Sequence, residues 1–131
     1  TLSSILPLQD TERNPYRDDI HYLENTEIVT IDTIDDFMDK NNIQFLEVLK
    51  IDTQGYDLEV LKGAKQSLRD GKIKYIFVEM CFVEMYEGQG GATEIIDYLG
   101  EFDRKVIGFY DVYRPLDSNT ISYCSTLFGP Y

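Results

Sequence analysis

Two carboxylates stand where apolar runs of strand length give way to turn formers. Phe45-Leu46-Glu47-Val48-Leu49-Lys50-Ile51 leads into Asp52-Thr53-Gln54-Gly55, and Ile73-Lys74-Tyr75-Ile76-Phe77-Val78 leads into Glu79. In an open parallel sheet, ligands collect in the crevice beyond the carboxyl ends of the strands. A carboxylate at such an end, facing the amino end of a helix, can hold a substrate hydroxyl or accept its proton. The plainer reading stays open: Asp52 caps the helix that begins at Tyr56, and Glu79 is a solvated strand end.

Other chemistry-bearing residues point less far. Gly88-Gln89-Gly90-Gly91 precedes a helix, but about eight residues separate it from Glu79, whereas a dinucleotide-binding turn sits tight against its strand. A flexible, lid-like loop fits this stretch better than a phosphate cradle. His21 lies in a polar stretch and reads as a surface histidine. Cys81 and Cys124 both occupy apolar strand-like contexts, which favours buried thiols over a disulfide. One His and two Cys leave no zinc cluster and no His-dependent triad within the chain, and two separated carboxylates are not a metal coordination set.

The elements that must position the carboxylates follow from periodicity. Glu27-Ile28-Val29-Thr30-Ile31 alternates as a short strand. Thr33 with Asp36 three residues on predicts the start of a short helix through Phe37 and Met38, ending near Asn41-Asn42. From Tyr56 the apolar period becomes helical at Leu58, Leu61, Ala64 and Leu68, with Asp57 and Glu59 in the first turn and Gly71 placed to end it. Strand, helix and strand here form a right-handed parallel unit of an α/β sheet. A further helix is predicted from an N-cap at Thr93 through Leu99, followed by strands over 105–110 and 120–128. The polar turn 114–119 suits an antiparallel pair at the sheet edge.

The 131 residues, 43% hydrophobic and 13% aromatic, are enough for one compact domain with a core, and no linker divides them. A net charge of −12 repels phosphate backbones and anionic lipid surfaces, so neither nucleic acid nor a membrane is expected as a partner. No apolar run approaches the ~20 residues of a membrane span, and Thr1 opens no signal-peptide pattern, so a cytoplasmic protein is expected.

The run Val48-Leu49-Lys50-Ile51-Asp52-Thr53-Gln54-Gly55-Tyr56-Asp57-Leu58-Glu59-Val60-Leu61-Lys62-Gly63-Ala64, followed by Ile76-Phe77-Val78-Glu79, resembles the central signature of the FkbM-type methyltransferases. Leu2 to Leu6, Val29 to Phe37, Tyr86-Glu87-Gly88-Gln89 and Leu127-Phe128 also fit that family, so the resemblance runs through most of the chain. It implies the C-terminal portion of a Rossmann-like methyltransferase sheet and S-adenosylmethionine as cofactor. The acceptor it implies is a small molecule, usually a hydroxyl of a sugar or secondary metabolite. The family's cofactor-gripping strands lie N-terminal to everything in this sequence, and its usual acid in the central turn is Gln54 here.

Methyl transfer to oxygen gains most from holding the acceptor ~3–3.5 Å from the methyl group, and a base contributes ~10²–10⁴-fold. On that basis Asp52 is the leading candidate for acceptor orientation or general base and Glu79 the second, with Gln54, Tyr56 and Asp57 lining the site. Two alternatives stand beside this reading: a non-catalytic α/β binding or assembly module derived from the same fold, and an unrelated nucleotide-binding domain. Without neighbouring strands, the Val48–Ile51 strand would bare an apolar edge, so a homodimer through that edge, or pairing with the chain's own N-terminal strands, is expected.

Overall fold

The computed structural model describes residues 3–10, 12, 14, 26–116 and 118–131. His21, most of the polar stretch around it and Leu2 lie outside the described residues. The chain runs α1 (Ile34–Lys40), β1 (Leu46–Ile51), α2 (Asp57–Lys62), α3 (Lys65–Arg69), β2 (Ile73–Cys81), α4 (Ala92–Gly100), β3 (Arg104–Tyr113) and β4 (Tyr123–Pro130). Four strands form one mixed sheet in the order β1-β2-β4-β3. β1 and β2 pair in parallel, while β4 pairs antiparallel with both β2 and β3. This is the α/β architecture with an antiparallel edge pair that the sequence pattern leads one to expect, and it is consistent with the Rossmann-like sheet that the family resemblance implies.

The sheet has two unlike faces because side chains alternate along each strand. Ile51, Ile76, Val78, Met80, Cys124 and Phe128 join Leu58, Leu61, Ala64, Leu68, Ile95 and Leu99 from the helices in one buried core. Met38 of α1 closes its margin. The opposite face carries Phe77, which leans on Tyr110, and Tyr113 stacked on Tyr123. Val48, Ile107 and Tyr110 are exposed. Cys81 and Cys124 are buried free thiols, as expected.

Thr33 caps α1 as its sequence predicts, its hydroxyl accepting from the Asp36 N–H at 3.0 Å. Four local expectations are corrected. Residues 27–31 form no strand: Ile28 is fully exposed, Val29 and Ile31 mostly so, and β-branched alternation without a neighbouring edge leaves the backbone unpaired. Among the described residues β1 therefore pairs with β2 alone, not with the chain's own N-terminal segment.

The helix expected from Tyr56 is broken at Gly63, whose carbonyl accepts the Asp35 N–H instead of continuing the ladder. The Asp35 carboxylate then caps α3, accepting from the N–H groups of Gln66 (2.8 Å) and Ser67 (2.9 Å) and from the Ser67 hydroxyl. Burial alone would raise the Asp35 pKa, but these donors bring it below the ordinary value.

The N-cap of α4 is Gly91, not Thr93, and the Glu94 carboxylate accepts the Gly91 N–H at 2.8 Å. Finally, β2 does not stop at Glu79. It continues to Cys81 because β4 supplies partners, Ser125 for Glu79 and Tyr123 for Cys81.

Candidate functional site

The register assembles the two strand-end acids. Ile51 pairs with Val78, so one residue further on Asp52 stands beside Glu79, at the carboxyl side of adjacent parallel strands. Glu79 alternates with the buried Val78 and Met80 and so points to the face opposite the helices, the face that Phe77 shares. Among the described residues its carboxylate makes no hydrogen bond and no ion pair.

The turn from β1 into α2 is set by Asp57. Its side chain is buried, and its two oxygens accept the N–H groups of Thr53 and Gly55, each at 3.1 Å. Gln54 and Gly55 adopt φ of +54° and +91°, left-handed backbone that glycine takes freely and glutamine does not. Asp52, outside this clasp, accepts from Lys50 Nζ at 2.9 Å on one oxygen and from Gln54 Nε2 at 3.1 Å on the other. Asp52 therefore does not cap α2, whose start has no side-chain cap, and the turn before it is held by Asp57. Tyr56 is the residue preceding α2 and contributes no side-chain cap.

These surroundings drive the three acids apart. The Lys50 hydrogen bond, helped by Gln54, holds the Asp52 carboxyl below its ordinary range against a smaller burial effect. Burial pushes Asp57 up, partly offset by the Thr53 and Gly55 N–H groups. Glu79 is pushed up to about 7, by burial first and then by the negative charges of Asp52 and Asp57. Neighbouring titratable groups with separated pKa values are the arrangement that supports acid–base work near neutral pH.

One site residue escaped the sequence reading. Tyr86 is completely buried, and its hydroxyl donates to Gln54 Oε1. A Cβ on Gly55 would come within 2.8 Å of the Tyr86 ring, so glycine at 55 is required by both backbone and contact. The loop expected to be a free lid is tied down here. Gln89 Oε1 accepts the N–H groups of Met85 and Tyr86, Gln89 Nε2 donates to the Val83 carbonyl, and Gly90 lies against Leu58. The signals available in sequence were a Gly-rich turn after a tyrosine and the glycine at 55, which do not by themselves pair residues so far apart.

Comparison with known proteins bears on this arrangement. A family described as "Methyltransferase FkbM domain" matches residues 3–106. The 2-O-methyltransferase NoeI of Sinorhizobium fredii (strain NBRC 101917 / NGR234) is 30% identical over 70 residues. That match covers 53% of this chain and 28% of the relative, so the chain spans well under half of that protein. No solved structure matches. No helix among the described residues is long and apolar enough to cross a membrane.

Proposed function

Because the chain belongs to the FkbM methyltransferase domain family, we propose that it forms the acceptor-handling part of an S-adenosylmethionine-dependent O-methyltransferase acting on a neutral hydroxyl of a sugar or secondary metabolite. The observation that carries the reading is the pair at the strand ends: an anionic, doubly held Asp52 beside an unpartnered Glu79 with a pKa of about 7. The relative's name, a 2-O-methyltransferase, supports oxygen as the atom modified.

Asp52 has both oxygens oriented by Lys50 and Gln54, which fits it to accept a hydrogen bond from an acceptor hydroxyl in a fixed direction. Glu79 is the better proton acceptor of the two, since a base works best with a pKa near the operating pH. Glu79 would take the proton of the acceptor hydroxyl, and Asp57 would keep the turn in place. A cationic sulfonium fits the same pair of carboxylates in a chain of net charge −12, and Asp52 and Glu79 are the residues that would face it. When bound, S-adenosylmethionine supplies an electrophilic methyl group. A cytoplasmic site of action belongs to the same proposal, supported by the two free thiols.

The test is methyl transfer from labelled S-adenosylmethionine to a panel of neutral sugars. The Glu79→Gln variant should lose ~10²-fold or more in kcat, and transfer at the wild-type rate would refute the base assignment. Among the described residues one edge of β1 is unpaired, which favours a second reading, a binding or assembly module. Saturable calorimetric binding of S-adenosylmethionine to this chain would eliminate it.

A further inference from the structure

We propose that Tyr86 is a positioning residue that sets the Asp52 carboxylate through the side-chain amide of Gln54. Three hydrogen bonds form the line: Tyr86 hydroxyl to Gln54 Oε1, Gln54 Nε2 to Asp52 Oδ1, and Lys50 Nζ to Asp52 Oδ2. The direction of each bond is fixed chemically. Burial pushes the Tyr86 pKa up, so the phenol keeps its proton and acts as a donor at neutral pH. A donor facing Gln54 demands the amide oxygen, which turns the amide nitrogen toward the anionic Asp52.

Only an amide serves both ends. Glutamate at 54 could accept from Tyr86 but would set a second negative charge against Asp52, and an apolar residue would serve neither.

The anchor of the line is rigid. Tyr86 is held on its backbone by Gln89, and the adjoining Glu87 N–H donates to the Pro7 carbonyl at 2.8 Å. The Gln9 N–H donates to the Met85 carbonyl at 2.7 Å, so the segment 7–9 ties the tyrosine from the other side. The ring rests on the bare Cα of Gly55, where no Cβ could fit. The tyrosine thus fixes the turn from below and Asp52 from its side.

The inference shares its turn with the proposed acceptor site, and its functional meaning rests on that reading. The linkage itself is measured without turnover, so absence of methyl transfer would overturn the function and leave the linkage standing. The experiment is a carbon-13 NMR titration of the Asp52 carboxyl in the full chain, for wild type, Tyr86→Phe, Gln54→Asn and the double variant. Asparagine tolerates the left-handed backbone at 54 but is one methylene too short to span the gap.

Tyr86→Phe should raise the Asp52 midpoint by roughly half a pH unit, the size expected for loosening one hydrogen bond to a carboxylate. Gln54→Asn should raise it at least as much, and adding Tyr86→Phe to Gln54→Asn should move it no further. A purely structural tyrosine would lower the melting temperature and leave the Asp52 titration in place, which overturns the proposal. So does a Tyr86→Phe shift that persists in the Gln54→Asn background. If Tyr86→Phe does not fold, an unmoved Asp52 in Gln54→Asn alone overturns it.

Discussion

Replacing Glu79 by glutamine should make the fold's stability less sensitive to pH, and in a defined direction. In the folded chain Glu79 keeps its proton up to about 7, against 4.5 for a free glutamate. Between those values the folded state binds more protons than the unfolded one, so stability falls as pH rises through the window. The contribution is fully present below 4.5 and lost above about 7. At ~1.36 kcal/mol per pH unit the interval sets an upper bound of ~3.4 kcal/mol. Glu79 is only partly buried, and solvent screening brings the expectation down to ~1–2 kcal/mol.

Glu79→Gln carries no such proton. Its unfolding free energy minus that of wild type should therefore climb by ~1–2 kcal/mol from pH 4.5 to pH 8. Asp57, which is also raised, is common to both proteins and largely cancels. The chain has no tryptophan, so urea unfolding is best followed by far-ultraviolet circular dichroism at half-unit steps of pH. A difference that stays flat, or falls, refutes the reasoning about Glu79 and removes the basis for assigning it the base.

Three other perturbations probe the scaffold. A Cβ on Gly90 would stand 2.5 Å from Leu58 Cβ, so Gly90→Ala should cost ~1–3 kcal/mol in chemical denaturation, and Leu58→Ala, which keeps that Cβ, should not rescue it. Asp35→Ala should cost ~1–2 kcal/mol and speed amide exchange at Gln66 and Ser67. Because the folded Asp35 pKa lies below 3.8, that loss should be seen above this value and vanish as pH falls through the folded one. The β1 edge, with Val48 53% exposed, should pair with a second copy: sedimentation should show a dimer, and Val48→Lys should shift it to monomer. A wild-type monomer whose 47–50 amides exchange rapidly would refute the pairing.

What the sequence made legible is whatever depends on local pattern. Apolar runs ending in Asp52 and Glu79 predict a parallel pair, and the observed register of Ile51 with Val78 sets those acids side by side. Thr33 with Asp36 predicts the cap that forms. What it did not show depends on partners distant in the chain. Residues 27–31 have strand composition but meet no edge. Gly63 looks like any helical glycine until the Asp35 N–H takes its carbonyl. Tyr86 meets Gln54 across 32 positions, and no periodicity encodes that meeting.

The site's division of labour follows from those distant partners rather than from the kinds of residue present. Asp52, Asp57 and Glu79 are all carboxylic acids, and composition cannot rank them. Asp57 is buried and holds the backbone of its own turn with both oxygens, which suits it to shaping the turn. Asp52 is held by a cation and an amide, which keeps it charged and directional but makes it a weak base. Glu79, which has no donor among the described residues, is left as the group whose proton is cheapest to move near neutral pH. The weak base and the good one depend on each other, because the charge that Lys50 and Gln54 fix on Asp52 is part of what lifts Glu79. Neutralising Asp52, as in Asp52→Asn, should accordingly lower the Glu79 midpoint, a coupling that two independent strand-end carboxylates would not show.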